Sequence, residues 1–311
     1  MTSKSANVAK ASFDEIYTQD DPRDYYSILG SLDYAIPGLA KPIFQQLTGA
    51  WRRRYGRTAT MLDLGSSYGI NAALFRFPLS FDMMRRRYAS REMMALPSED
   101  VRALDKHYFQ AWPRVQQERI VAADVSETAL RYAVDVGLAD AYVAHDFENQ
   151  PAPKSVADKL ADIDMICSTG AVGYVTEKTF DALLGAARKT PWVVSFCLRM
   201  FDYEPIANTL EKAGLVTEKL DSALFVQRRF HDEHEAEQVL GVLRKSGIDP
   251  AGLEEDGLLL AELFVSRPRE DVRAEPLDQL VSVVSGRDMR FGPRLLHTKR
   301  EGEPLVAPVQ S

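Results

Sequence analysis

Three stretches of the sequence end in residues that suit the binding of a polar ligand. The stretch Thr60–Leu74 holds a short apolar segment, a turn bracketed by Gly65 and Gly69, and the start of a helix. Asp124 and Asp146 each follow another apolar stretch. A strand that ends in such a turn lets a ligand approach the backbone, and the free N–H groups of the next helix point at it. The sequence therefore predicts a ligand site where parallel strands end.

The segment Asp63–Gly69, DLGSSYG, resembles the first motif of class I S-adenosylmethionine-dependent methyltransferases, an acidic residue followed by Gly-x-Gly-x-Gly. Ser67 stands in place of the middle glycine, and the segment also departs from the dinucleotide pattern Gly-x-Gly-x-x-Gly. Because serine carries a Cβ atom, we expect either that the ligand sits slightly differently or that the serine hydroxyl bonds to it. The resemblance covers about residues 60–267 and implies S-adenosylmethionine as the cofactor.

The other two strand ends suit the nucleoside part of that cofactor. An acid placed like Asp124 can accept hydrogen bonds from both ribose hydroxyls of an adenosine ligand. The resemblance implies that Asp146 accepts from the adenine amino group and that Phe147 packs against the ring. Either acid alone is more typical of a loop or a helix cap, but three suitable strand ends in series favour a ligand site. The expected cofactor-binding residues are Asp63, Gly65, Ser66, Ser67, Gly69, Asn71, Asp124, Val125, Asp146, Phe147, Ser168, Thr169 and Gly170.

Aromatic and charged residues near the same edge predict the substrate side. Tyr174, after the fourth strand, is the first choice for an aromatic residue that faces the substrate. The segment Phe13–Leu47 is rich in tyrosine. It is either a helical layer packed on the sheet or a lid over the cationic methyl donor, which tyrosine faces and hydroxyls suit. The catalytic candidates are Tyr174, Tyr34 and His231, and the substrate-binding candidates are Tyr26, Asp33 and Arg199.

Two of these candidates have an alternative structural interpretation. Arg199 ends the fifth strand and either binds a substrate carboxylate through two hydrogen bonds or forms a salt bridge with Asp202 or Glu204. His231 and His234 have a His-x-x-His spacing, but no third ligand pattern is evident. The segment is therefore interpreted as a solvated helix start, and no metal is expected.

The elements that must position these residues are those of an α/β protein. Apolar stretches predict seven strands, at about residues 61–64, 120–124, 141–145, 164–168, 192–199, 223–230 and 258–267. The resemblance implies a doubly wound, mostly parallel sheet whose antiparallel last strand is inserted beside the fifth, with an N-terminal helical lid and a helical insertion. The predicted divisions are a flexible tail (1–12), the helical lid (13–58), the methyltransferase domain (59–268) with its insertion (77–118), and a partly disordered C-terminal extension (269–311).

Composition limits the class of partner. The 311 residues carry a net charge of −7, with 45% hydrophobic and 27% charged residues, as is ordinary for a soluble enzyme. The negative charge argues against a general nucleic-acid binder, since phosphate binding needs a positive field. Cys167 and Cys197 lie in apolar stretches and indicate buried thiols in a reducing compartment. Without an apolar signal segment or a membrane-length stretch, we expect a cytoplasmic protein with no membrane partner; a homodimer is left open.

The expected function is methyl transfer from S-adenosylmethionine to an oxygen or nitrogen of a small-molecule acceptor, by in-line displacement. Because the positive sulfur already activates the donor, the main task of the protein is alignment. Two alternatives stay open. One is an NAD(P)-dependent oxidoreductase, against which the lost glycine pattern counts. The other is a catalytically silent relative that binds the nucleoside and acts as a scaffold or partner subunit.

Overall fold

One sheet forms the centre of the protein. The computed structural model describes residues 14–283 and the backbone of residues 295–300 and 303–308. The strands are β1 (Thr60–Leu64), β2 (Arg119–Asp124), β3 (Ala141–Ala144), β4 (Met165–Ser168), β5 (Trp192–Leu198), β6 (Leu215–Lys219), β7 (Leu224–Arg229), β8 (Leu258–Pro268), β9 (Leu295–Arg300) and β10 (Glu303–Pro308). Their order in the sheet is β3-β2-β1-β4-β5-β8-β7-β10-β9, and β6 also pairs with β8.

The direction of the strands confirms the predicted fold class. Strands β1 to β5 are parallel, and β8 runs antiparallel to β5. Both β6 and β7 are antiparallel to β8 and lie end to end along its other edge, where Lys219 pairs with Phe264 and Arg229 pairs with Leu258. This is the doubly wound Rossmann-like arrangement with an antiparallel strand beside the fifth. The predicted count of seven strands omitted β6, whose half-exposed residues form no apolar stretch, and the hairpin of β9 and β10.

The core lies on both faces of the sheet. In β1, Met61 packs into one apolar cluster while Leu62 and Leu64 pack into the other, as the alternation of side chains along a strand requires. Strands buried on both faces read as continuous apolar runs, and β5 is buried at all of its residues. Parallel strands of this kind present the loops that follow them at one edge of the sheet. The chemistry of the site is therefore concentrated at the carboxyl edge.

Helices cover both faces. A 3₁₀ turn (Asp14–Tyr17) precedes α1 (Arg23–Ser31), α2 (Ile36–Tyr55), α3 (Ile70–Arg76), α4 (Phe81–Tyr88), α5 (Arg91–Met94), α6 (Ser98–Gln110), α7 (Glu127–Asp135), α8 (Lys154–Leu160), α9 (Glu177–Ala186), α10 (Glu204–Lys212), α11 (Glu233–Lys245), α12 (Arg269–Ala274) and α13 (Leu277–Leu280); a further 3₁₀ turn spans Glu254–Asp256. Among the residues that the structure describes, no helix combines the length and the apolar character that crossing a bilayer would need.

The insertion consists of α4 to α6 and is fastened to α7 by a buried carboxylate. Asp105 is 0% exposed. Its Oδ2 accepts hydrogen bonds from the hydroxyls of Tyr88 (2.9 Å) and Tyr132 (2.6 Å), and its Oδ1 accepts from the guanidinium of Arg87 (2.8 Å). Burial raises the pKa of Asp105 although these contacts lower it. The insertion is thus held to α7 by buried polar groups that bond to one another instead of to water.

The C-terminal extension packs against the sheet. It contains α13, in which Leu277 and Leu280 are buried, and β10, which pairs in parallel with β7 and extends the sheet. The predicted flexible tail, residues 1–12, lies outside the described residues. So do residues 284–294, 301–302 and 309–311, on which part of the predicted C-terminal disorder falls.

Candidate functional site

A cavity of about 540 Å³ opens at the carboxyl ends of the parallel strands. The residues that follow β1, β2, β3 and β4 form one wall, and the N-terminal segment forms another. Every predicted cofactor-binding residue lines this cavity except Asp63, Gly69 and Ser168. The topology therefore brings the separate sequence signals to one place, because parallel strands present their carboxyl ends at the same edge.

The turn after β1 is left-handed at three positions. Gly65, Ser67 and Gly69 have φ angles of 74°, 48° and 78°. A Cβ atom on Gly65 would lie 2.7 Å from the Cβ of Ala171, so glycine is required there by close packing as well as by its backbone. Gly69 is the N-cap residue of α3 and lies outside the cavity. For Ser67 the left-handed conformation is costly, by roughly 1–2 kcal/mol for a residue with a Cβ atom.

Ser67 is joined to Asp124 across the top of the sheet. The backbone N–H of Ser67 donates to Oδ2 of Asp124 at 2.9 Å, and that of Ser126 donates to Oδ1 at 3.1 Å. Burial raises the pKa of Asp124, while these N–H contacts lower it. The Ser67 hydroxyl is buried and has no hydrogen-bond partner within residues 14–283. Two lining residues of the cavity thus carry a carboxylate and an unsatisfied hydroxyl.

Asp63 lies beneath the cavity rather than on it. Its Oδ1 accepts from the side-chain amide of Asn71 at 2.9 Å, and the same amide lies 3.1 Å from the Thr169 hydroxyl. Asn71 therefore links the end of β1 to the loop after β4. Burial raises the pKa of Asp63 to about 6, although the hydrogen bond from Asn71 lowers it. Ser168 is also below the surface, with its hydroxyl accepting from the N–H of Ala171.

Replacing Asp63 with asparagine should remove a pH dependence from the stability of the fold. The ordinary pKa of the group is 3.8 and its value in the fold is about 6, so between these values the folded carboxyl keeps a proton that the unfolded chain releases. Its contribution to stability therefore falls by about 3 kcal/mol as the pH rises from about 4 to about 6, and is level above that. Unfolding free energies measured from pH 4 to pH 8 should show wild type declining relative to Asp63→Asn up to pH 6. A constant difference would contradict this.

Apolar and polar side chains line the end of the cavity that follows β2 and β3. Val125 is 71% exposed although it follows a buried strand, and Phe147 also faces the cavity. Asp146 lines this end, but its Oδ1 accepts from the N–H groups of Glu148 and Asn149, and its Oδ2 accepts from the Asn149 amide at 2.8 Å. The Asp146 carboxylate thus already accepts hydrogen bonds that stabilise its own loop. A hydrogen bond from an adenine amino group would be formed in addition to these.

The N-terminal segment covers the cavity. Tyr17, Tyr25 and Tyr34 line it, and Thr18, Leu29 and Pro37 complete that wall. The Tyr68 hydroxyl lies 3.0 Å from the carbonyl of Ile16 and 2.8 Å from that of Gln19, and the Ser126 hydroxyl donates to the carbonyl of Tyr17. These contacts fasten the segment to the two loops that carry Ser67 and Asp124. The segment is therefore a packed layer that also forms one wall of the cavity.

The tyrosines of this cover stay protonated. Burial raises the pKa of Tyr34 to about 12 and raises that of Tyr17 as well. At neutral pH these hydroxyls can donate hydrogen bonds, but they are poor bases. Tyr174, predicted as a substrate-facing aromatic, lies on the opposite wall and is 49% exposed. Tyr34 and Tyr174 are thus placed to position a ligand.

Tyr26 and Asp33 lie away from the cavity. Tyr26 is buried with its ring stacked on that of Tyr88 at 4.8 Å, because Tyr25, its neighbour on α1, occupies the face that looks into the cavity. Asp33 pairs with Arg229 where the N-terminal segment meets β7. Their positions do not support the predicted substrate contacts.

Arg199 and His231 lie away from the cavity as well. The Arg199 guanidinium bonds to the buried carboxylate of Glu254 at 2.7 Å, and not to the acids that the sequence favoured as alternatives. His231 is exposed, with Nδ1 2.9 Å from a carboxylate oxygen of Asp232, at the start of α11. Their positions give no support for substrate binding by Arg199 or catalysis by His231. The described residues contain no cluster of three or more His, Cys, Asp or Glu side chains that could hold a metal ion.

Sequence reasoning missed several residues that line the cavity, and three of them are charged or polar side chains with defined positions. Gln227 and Arg228 reach it from β7, and Glu148 reaches it from the loop after β3. Arg228 is buried in an ion pair with Glu235 at 2.6 Å, and the Glu148 carboxylate accepts from the N–H and hydroxyl of Thr176. A polar residue directly after the apolar stretch 223–226 was the available signal for Gln227.

The chain matches no protein-family model and no curated protein. Solved structures of similar fold include the plantazolicin methyltransferase BamL in complex with S-adenosylhomocysteine and a desmethylplantazolicin analog. It has 10% identity and a TM-score of 0.42, over 86% of this chain and 97% of that chain. A methyltransferase from Thiobacillus denitrificans in complex with S-adenosylhomocysteine has 12% identity and a TM-score of 0.37, over 81% and 100% of the two chains.

The magnesium protoporphyrin IX methyltransferase ChlM from Synechocystis PCC 6803, with bound S-adenosylmethionine, is a further example. It has 11% identity and a TM-score of 0.34, over 79% of this chain and 94% of that chain. Likeness at this level does not establish the function of this chain, so its chemistry has to be argued from its own residues.

Proposed function

We propose that the protein transfers a methyl group from S-adenosylmethionine to a small-molecule acceptor. The observation that carries the proposal is the cluster of Asp124, Ser67 and Val125 at one end of the cavity. The Asp124 carboxylate, which can accept from ribose hydroxyls, lines the cavity together with Ser67 and Val125. The Ser67 hydroxyl has no hydrogen-bond partner among the described residues, and the exposed Val125 side chain could be covered by a purine.

The remaining lining residues fit the same cofactor. Thr169, Gly170 and Asn71 would hold the methionine half at the ends of β1 and β4. Val125 and Phe147 would enclose the adenine ring. The tyrosines of the N-terminal segment would face the sulfonium, whose positive charge aromatic rings attract. When bound, S-adenosylmethionine supplies an activated methyl group on a positively charged sulfur.

The residues of this chain would then act mainly by alignment. Holding a nucleophile in line with the methyl group can contribute on the order of 7–11 kcal/mol to lowering the barrier. Because burial raises the pKa of Tyr34 to about 12, this hydroxyl would orient the acceptor rather than deprotonate it. The N-terminal segment would exclude water from the cavity. The acceptor would therefore have to arrive with its lone pair available.

Isothermal titration with S-adenosylhomocysteine tests the cofactor. We expect saturable binding in the micromolar range, with NADH giving no heat under the same conditions. Absence of binding by S-adenosylhomocysteine would end the proposal. Binding of NADH in its place would favour the oxidoreductase alternative. An intact cofactor site that transfers no methyl group to a broad panel of acceptors would favour the scaffold alternative.

Replacing Ser67 with glycine should raise the stability of the fold and lower the affinity for S-adenosylhomocysteine. Glycine restores the residue usual in the motif and removes the cost of a left-handed side-chain residue, so unfolding should become harder by about 1 kcal/mol. The lost hydroxyl should weaken S-adenosylhomocysteine binding about tenfold, the value of roughly one hydrogen bond. Ser67→Ala, which keeps the Cβ atom, should lose the same affinity without gaining stability. Calorimetric binding and thermal unfolding check both effects; unchanged affinity in both variants would show that the hydroxyl does not contact the ligand.

A further inference from the structure

Gln227 lies at an irregularity of the sheet beside the cavity. A β-bulge between Val226 and Arg228 leaves Gln227 without a partner on β8. Bulges commonly re-aim a side chain next to a binding site. Gln227 is 4% exposed and lines the cavity. A long polar side chain has therefore been turned from the strand into the site.

The backbone around the bulge is fixed by the N-terminal segment. The N–H of Ala35 donates to the carbonyl of Gln227 at 2.8 Å, and the N–H of Arg229 donates to the carbonyl of Leu32 at 2.8 Å. The Asp33–Arg229 ion pair closes the same junction. Because these contacts bracket Gln227, its side chain is presented from a fixed backbone.

The carboxamide of Gln227 makes no side-chain hydrogen bond with any residue in the described part of the chain, and its polar atoms are not among the fully buried ones, so they are open to the cavity. Its Nε2 lies 3.2 Å from the point where a Cβ atom of Gly170 would be, and the Tyr34 hydroxyl lies 3.7 Å from the same point. An amide that opens into a cavity without a protein partner can form its hydrogen bonds with a ligand there. Two hydrogen-bond donors thus converge over Gly170, the residue expected beside the methyl group.

We propose that the Gln227 carboxamide recognises the acceptor molecule by donating a hydrogen bond to a carboxylate or carboxamide oxygen, together with the Tyr34 hydroxyl. This inference rests on the proposed function and names the chemical class of its acceptor. The tyrosines, Leu29 and Pro37 around these donors form an aromatic and apolar wall. The class that fits is a small aromatic molecule with a carbonyl-type oxygen.

The test uses protein saturated with S-adenosylhomocysteine, with benzoate and benzamide as probes titrated by ligand-observed NMR. Both probes should bind wild type. Gln227→Met, which keeps the length and removes the amide, should weaken both at least tenfold. Gln227→Glu should weaken benzoate at least tenfold, because it replaces the donor with a negative charge. The matched control Gln117→Met, on an exposed residue outside the cavity, should bind both probes as wild type does.

The affinity for S-adenosylhomocysteine should stay within twofold of wild type in every variant, which shows that each is folded and keeps the cofactor site. Failure of wild type to bind either probe would overturn the proposal, and so would equal binding by wild type and Gln227→Met. A loss of cofactor affinity with unchanged probe binding would place Gln227 in the cofactor site and also overturn it. Failure of the proposed function has a different signature, since wild type would then not bind S-adenosylhomocysteine at all.

Discussion

Asp124→Ala should lower the affinity for S-adenosylhomocysteine by about 30- to 100-fold. The substitution removes the carboxylate proposed to accept from the ribose hydroxyls, and hydrogen bonds to a charged group contribute about 1.5–3 kcal/mol. It also frees the N–H groups of Ser67 and Ser126, which now donate to that carboxylate. The turn after β1 should therefore become less fixed, which adds to the loss. Isothermal titration measures the effect.

Two variants make this result specific. Asp124→Asn keeps one side-chain oxygen and should lose less affinity than the alanine variant. Asp146→Ala removes the other acid at the cavity. Because the Asp146 carboxylate already accepts from its own loop, its loss should weaken binding less than tenfold. If wild type and a folded Asp124→Ala variant bound S-adenosylhomocysteine equally well, Asp124 would not bind the ribose. The proposed position of the nucleoside would then be wrong.

Asp105→Ala should give the largest loss of stability, about 3–5 kcal/mol. Removing one member of a buried charge network leaves the others without partners, and the cost is the uncompensated burial. Here the Arg87 guanidinium and the hydroxyls of Tyr88 and Tyr132 would lose their acceptor, although Tyr88 and Tyr132 could still bond to each other at 3.0 Å. Chemical denaturation gives the unfolding free energy.

The matched control is Asp135→Ala, another acid that pairs with an arginine near the insertion. Its ion pair with Arg102 is partly exposed, with side-chain exposures of 52% and 34%, so its removal should cost less than about 1 kcal/mol. Asp105→Asn, which keeps an acceptor but loses the charge beside Arg87, should fall between the two. A loss at Asp105 no larger than at Asp135 would mean that the insertion is held by its apolar contacts alone.

Local sequence was sufficient to predict the strand ends that line the cavity. The turn after β1, the acid that ends β2 and Phe147 after β3 each lie at the end of a short apolar stretch. Such stretches can be recognised in the sequence because a strand that is buried on both faces is apolar along its length. A glycine-bracketed turn then marks where the strand ends. The parallel order of β1 to β5 and the antiparallel β8 followed from the resemblance, and the structure confirms them.

Which polar residue faces the cavity was decided by tertiary structure. Tyr25 and Tyr26 are neighbours in sequence, but the rotation of about 100° between consecutive residues of α1 directs Tyr25 to the cavity and Tyr26 to the core. Arg199 forms its ion pair with Glu254, which lies more than fifty positions further along the chain. No local sequence pattern could indicate this pair.

Gln227 shows the same limit most clearly. Its position depends on a bulge in β7 that is stabilised by hydrogen bonds from a segment almost two hundred residues earlier. The sequence by itself determined where the strands end and which backbone turns a ligand could approach, since these depend on neighbours along the chain. Only the fold decided which side chains enter the cavity, since that depends on contacts between distant segments and on the burial they create.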